Sequence, residues 1–134
     1  MKNIVILGST GSIGKSLLKI INKDKKSFNI KLLTAHKNHK ELLQQAKLFN
    51  VKNVILTDKK TYYLSKESFT KNKITLFNNF FNINKILINK IDYVMSSIVG
   101  LDGLEPTLKL IKYTKNIAIA NKESIICGWN LIKK

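Results

Sequence analysis

The sequence predicts an α/β fold with a mostly parallel sheet covered by helices on both faces, and three observations lead there. Short β-branched runs alternate with longer amphipathic ones along the whole chain, the pattern of repeated βαβ units. The strand candidates are apolar almost throughout, as strands are when helices cover both sides of a sheet. A glycine-rich turn, Gly8-Ser9-Thr10-Gly11-Ser12-Ile13-Gly14, stands where the first strand candidate gives way to the first helix candidate.

The elements follow in order. Residues 3–7 (NIVIL), 29–34 (NIKLLT), 53–57 (NVILT), 73–77 (KITLF), 92–96 (DYVMS) and 116–120 (NIAIA) are the six strands. Between them the spacing predicts helices over 12–23, 37–49, 59–69, 79–89, 103–113 and 123–132. The first carries Leu17, Leu18 and Ile21 on one stripe, the face that seeks a core. Residues 59–73 are polar enough to make an irregular surface excursion instead. No internal repeat, low-complexity linker or Gly/Ser-rich hinge interrupts the pattern, so residues 1–134 read as one domain. The last helix candidate closes on Lys133-Lys134 without a glycine stop signal, which suggests that a parent chain continues beyond it.

A length of 134 residues with 44% apolar content suits one domain with a core of its own. No run of 18 apolar residues exists, and Met1 leads straight into a strand instead of a signal stretch, so the expectation is a cytoplasmic protein without a membrane partner. The single cysteine, Cys127, has no intrachain disulfide partner and reads as a small buried thiol. With only His36 and His39 beside it, no zinc site is expected. The formal charge of +16 invites a nucleic-acid reading. Against it, all 24 cationic residues are Lys and they are scattered among Asn and Ile, whereas Arg supplies the planar fork suited to phosphate and guanine. A solvated lysine-rich surface is the expectation, and no nucleic-acid partner.

In the turn after the first strand, Gly8 and Gly11 allow a tight bend and close approach of backbone N–H groups to a pyrophosphate. Ser12 is expected to cap the helix that follows. Gly14 falls on the first helical turn, where a missing side chain lets helix and strand pack closely. The spacing G-x-x-G-x-x-G departs from G-x-G-x-x-G, so it is the strand-to-helix context that carries the dinucleotide reading; a ligand-free glycine turn is the alternative.

A site for NADH places an acid near the end of the second strand, for the adenosine ribose. This chain has Thr34-Ala35-His36-Lys37-Asn38-His39-Lys40 there. Cations and amide donors suit a 2′-phosphate, which favours NADPH, although an ordinary solvated loop would look the same. Two further segments end strands at the edge where open sheets bind ligands: Ser96 to Gly100, and Ala120-Asn121-Lys122-Glu123-Ser124. The second sets an amide, a cation and a carboxylate after a buried strand, suited to a cofactor ribose and an anionic substrate; a helix cap explains Asn121 and Glu123 nearly as well.

With GSTGSIG at residues 8–14, KN at 37–38, IVG at 98–100, GLEPTL at 103–108 and ANKES at 120–124, the chain resembles the 1-deoxy-D-xylulose 5-phosphate reductoisomerases over its whole length. The resemblance implies a Rossmann-like, doubly wound NADPH-binding domain. It implies cofactor contacts from Thr10, Gly11, Ser12 and Ile13 at the pyrophosphate, from Lys37 and Asn38 at the adenosine end, and from Asn121 and Glu123; Gly8 and Gly14 of the same turn and His36 beside Lys37 are counted with the cofactor site. Lys122 corresponds to a lysine that contacts the phosphorylated sugar substrate. His36 departs from the family pattern, which has glycine before Lys-Asn. The family's Mg²⁺ or Mn²⁺ is held by carboxylates that follow ANKES by some tens of residues, so neither metal ligands nor catalytic residues are expected here. Asp92, Asp102 and Glu105 are too isolated for a metal site. The resemblance also implies a homodimeric whole enzyme, in the cytoplasm or in a plastid-like organelle after removal of a transit peptide. The rival readings are a stand-alone NADP-sensing module and a basic nucleic-acid-binding domain.

Overall fold

The computed structural model describes residues 1–98 and 101–120, without the side chain of residue 101. Six strands, β1 (Lys2–Leu7), β2 (Phe28–Ala35), β3 (Asn53–Leu56), β4 (Thr75–Phe77), β5 (Ile91–Ser96) and β6 (Thr114–Ile119), form one sheet in the order β4-β3-β2-β1-β5-β6. All five neighbouring pairs are parallel. The intervening helices are α1 (Ser12–Asn22), α2 (His39–Leu48), α3 (Lys59–Lys71), α4 (Ile83–Ile86) and α5 (Leu104–Ile111).

From β1 to β4 each strand is added on the same side. The chain then crosses back, and β5 pairs with the free edge of β1. Right-handed crossovers put connections running in opposite directions on opposite faces. Accordingly, α1, α2 and α3 bury Leu18, Ile21, Leu42, Ala46 and Phe69 against one face, with Ile4, Ile6 and Leu33. On the other face α4 and α5 place Ile83 and Leu110 against Val5, Leu32, Ile55 and Val94. Phe69, fully buried, contributes about 1.5–3 kcal/mol through that burial.

Two segments clarify how local chemistry decides. The polar stretch after β3 is not an excursion but the 13-residue α3. Asp58 caps it, accepting from Thr61 N–H at 3.1 Å and from the Thr61 hydroxyl, while Ser65 and Phe69, four residues apart, are its buried stripe. Residues 79–89, expected as a full helix, form only the single turn α4. Phe80, Ile83 and Leu87 do reach the core at helical spacing. The amides before them hold the backbone otherwise: Asn78 Nδ2 donates to Leu56 O at 2.9 Å, and Asn79 Oδ1 accepts from Phe81 N–H at 3.0 Å. Such side-chain bonds compete with helical ones. The expected helix over 123–132 lies outside the described residues. Among those residues no helix is long and apolar enough to cross a membrane.

Candidate functional site

Open parallel sheets bind ligands beyond the C-terminal ends of their strands, where the strand order reverses. Here that point lies between β1 and β5, so Leu7 and Ser96, paired across it, deliver the two loops that face each other. Gly8 leaves β1 at φ +77°, and a Cβ there would stand 3.0 Å from Ser97 O. Both conformation and space therefore require glycine. Ser97 closes the junction, donating from its backbone N–H to Leu7 O at 3.0 Å and from its hydroxyl to the same oxygen at 2.6 Å. On the other side Gly8 N–H donates to Thr34 Oγ1 at 3.0 Å, and Ser9 N–H to Thr34 O at 2.9 Å. The turn is thus fixed to both neighbouring strands.

The helix cap differs from the sequence expectation. Gly11, not Ser12, is the N-cap of α1, and no side chain caps the helix; Ser12 is its first residue. Helix geometry leaves the first N–H groups without intrahelical acceptors, and the first turn carries no acid. The positive end of α1 therefore faces solvent with donors to offer. Gly14 acts as expected: a Cβ there would meet Gly8 O at 2.5 Å and Ser9 Cα at 2.7 Å. Gly11 is different, because its Cβ would find only Gly8 O, at an ordinary 3.6 Å. The fold itself leaves that space open.

The cleft above the turn, about 180 Å³, has Gly8, Thr10 and Gly11 on one side, Thr34 to His36 and Thr57 on another, and Ser97 and Ile98 on the third. A larger hollow of about 380 Å³ opens between α1 and the sheet near Leu17, Ile20, Phe28 and Tyr93. It involves the opening residues of β1 and β2 and so lies away from the C-terminal strand ends.

The loop after β2 is organised by its neighbour. Thr57 N–H donates to Ala35 O, and Asp58 N–H to His36 O, both at 3.0 Å. His36 Nδ1 lies 2.8 Å from Thr57 Oγ1. Asn38 Oδ1 caps α2, accepting from Glu41 N–H at 3.3 Å, so only its amide NH₂ remains for a ligand. Asp58 carries a carboxyl held below its ordinary range, first by the Thr61 hydroxyl, then by Thr61 N–H, with Lys37 and His36 adding positive potential. Sequence reading gave no individual role to Thr34, Thr57 or Ser97, each of which gains its place through strand pairing, or to Asp58, whose cap of α3 is local. Asn121, Lys122 and Glu123 lie outside the described residues. Ala120 N–H donates to Ser96 O at 2.9 Å, so β6 runs out at the same sheet edge. Among the described residues no group of three or more His, Cys, Asp or Glu side chains could hold a metal ion.

The model of the family 1-deoxy-D-xylulose 5-phosphate reductoisomerase matches residues 4–128. This chain belongs to that family. It is 62% identical over 136 residues to the 1-deoxy-D-xylulose 5-phosphate reductoisomerase of Pelagibacter ubique, covering 100% of this chain and 35% of that protein. The Wolbachia pipientis relative of the same name is 40% identical over 135 residues, with 100% and 34% covered. Among solved structures, the Zymomonas mobilis reductoisomerase in complex with NADPH superposes with a TM-score of 0.88 at 31% identity, covering 98% of this chain and 35% of that one. A reductoisomerase in complex with NADPH, fosmidomycin and magnesium gives 0.87 at 28% identity, covering 99% and 34%. The chain thus spans about a third of the length of the relatives it matches, and the fold is the Rossmann-like one that the sequence predicts.

Proposed function

We propose that residues 1–134 form the NADPH-binding domain of a 1-deoxy-D-xylulose 5-phosphate reductoisomerase. That enzyme rearranges and reduces 1-deoxy-D-xylulose 5-phosphate to 2-C-methyl-D-erythritol 4-phosphate in non-mevalonate isoprenoid synthesis. The observation that carries the reading is the uncapped start of α1 behind a glycine turn at the sheet's reversal point. Backbone donors and helix dipole there suit a pyrophosphate. The fit extends to shape, since the open space at Gly11 Cβ admits a phosphate that a side chain would exclude.

On this reading Thr10, Gly11, Ser12 and Ile13 offer backbone N–H groups to the pyrophosphate. Gly8 and Gly14 shape the turn, while His36, Lys37 and Asn38 meet the adenosine 2′-phosphate. Thr57 orients the His36 ring through Nδ1. Asn121 and Glu123 meet the ribose on the nicotinamide side, and Lys122 attracts the phosphorylated sugar. NADPH supplies the hydride when bound; this chain's work is to bind and orient it. Carboxylates for Mg²⁺ or Mn²⁺ and the acid–base groups belong, on this reading, to parts of the family beyond the third spanned here. We place the whole enzyme in the cytoplasm as a homodimer.

Titration with NADPH and NADH, followed by nicotinamide fluorescence, tests the reading. A hydrogen bond to a charged group stabilises by about 1.5–3 kcal/mol, so NADPH should bind roughly 10- to 150-fold more tightly. Equal dissociation constants would refute the assignment of the basic loop.

A further inference from the structure

Ser9 lies in the middle of the glycine turn yet is fully buried, with its side chain turned away from the cleft toward α2. There it meets Gln45, a residue only 7% exposed. Ser9 Oγ donates to Gln45 Oε1 at 2.7 Å, and Gln45 Nε2 donates to Ser9 O at 3.0 Å. The amide thus grips one residue twice, by its side chain and by its backbone carbonyl. Ser9 N–H is occupied as well, donating to Thr34 O.

A trans peptide points its carbonyl and its N–H in opposite directions. Holding Ser9 O against Gln45 therefore turns the Thr10 N–H away from α2. Thr10 lines the cleft, and among the described residues its N–H has no hydrogen-bond partner. The same helix, α2, is capped by Asn38, in the loop assigned to the adenosine end.

We propose that Gln45 is the positioning residue of the phosphate turn: it fixes the Ser9–Thr10 peptide so that Thr10 N–H is preset as a donor to the pyrophosphate of a dinucleotide. This rests on the NADPH reading above. Gln45 does not touch the ligand. A turn whose peptide is already oriented loses less conformational freedom on binding, and a buried amide that satisfies both of its partners keeps that orientation rigid.

The test uses the chain with NADPH and, separately, adenosine 2′-monophosphate, which engages the adenosine loop but has no pyrophosphate. Gln45→Met keeps the length and removes both bonds. It should weaken NADPH about tenfold, the worth of one hydrogen bond to a charged group, and leave adenosine 2′-monophosphate within about twofold. Gln45→Glu, measured at a pH where the carboxyl is ionised, keeps an acceptor for Ser9 Oγ but has no donor for Ser9 O. It should show the same split, and it carries the test if the Met variant does not fold. Leu42→Val, one turn earlier on α2 and buried without polar contacts to the turn, should change neither ligand. NADPH affinity unchanged in a folded Gln45 variant overturns the positioning role, as does equal weakening of both ligands, which would mean only that α2 had moved. Absence of NADPH binding by the wild-type chain overturns the cofactor reading itself.

Discussion

Two glycines of the turn should separate stability from binding. In Gly14→Ala the new methyl would stand 2.5 Å from Gly8 O, 2.7 Å from Ser9 Cα and 2.9 Å from Ser9 C. All three are backbone atoms, so no side chain can swing aside. Carbon contacts are comfortable near about 3.5–4.0 Å; helix and turn must therefore part by roughly an ångström. Overpacking of this kind costs about 1–3 kcal/mol. Replacing a helical glycine by alanine returns at most about 1 kcal/mol. At the upper half of the overpacking range, which clashes with three backbone atoms justify, the net loss of about 1–2 kcal/mol lowers the thermal midpoint by roughly 3–10 °C at this chain length. Because Gly8 and Ser9 carry the displacement, NADPH affinity should fall with it. Gly11→Val is the converse. Its Cβ has room and its φ of −78° is ordinary, so the fold should lose no more than about 1 kcal/mol, from the poorer cap. The branched side chain would fill the phosphate's space, and NADPH binding should be abolished. Thermal melts followed by circular dichroism, with NADPH titration of the same samples, read both effects. A Gly14→Ala protein as stable as wild type would refute the close approach of α1 to the turn. Unchanged NADPH affinity in folded Gly11→Val would refute the phosphate site.

Lys37→Ala should weaken NADPH about tenfold while leaving NADH within about twofold, since the lysine is assigned to the 2′-phosphate alone; comparable losses for both cofactors would reassign it. Asp58→Ala removes the cap of α3 and should lower stability by about 1 kcal/mol in thermal melts. Asp58 and Asp92 both have carboxyl pKa values below the ordinary one, Asp58 chiefly through the Thr61 hydroxyl and Asp92 chiefly through Asn3 N–H at 2.8 Å. Their stabilisation is therefore complete above the unfolded value of about 3.9 and is lost as pH falls through the lower folded values. The melting temperature should drop below about pH 4, and less steeply in a variant lacking both carboxyls. In a catalytically competent protein carrying this chain, Lys122→Ala should raise the substrate KM or lower kcat with NADPH affinity intact, the reverse of Lys37→Ala. Impaired cofactor binding with normal substrate kinetics would reverse the proposed direction of the dinucleotide.

The strands were legible because each is a short apolar run whose type does not depend on its neighbours, and the glycine turn because its position between strand and helix restricts what it can be. Order was another matter. Nothing local in residues 91–96 says that they pair with β1 and not with β4, yet that one choice creates the reversal point and brings Ser97 against Gly8. The segment that periodicity misjudged and the one it left with two readings have local causes of a kind that it omits. Asn78 and Asn79 divert a helical pattern through side-chain bonds, one of them to a strand 22 residues earlier. Asp58 rescues a polar stretch by capping it. Glycines, too, look alike in sequence while answering to different constraints: Gly8 to φ, Gly14 to packed backbone, and Gly11 to neither. Gly11, which the fold leaves free in a turn held to both neighbouring strands, is the position where the proposed pyrophosphate site would supply the requirement for glycine.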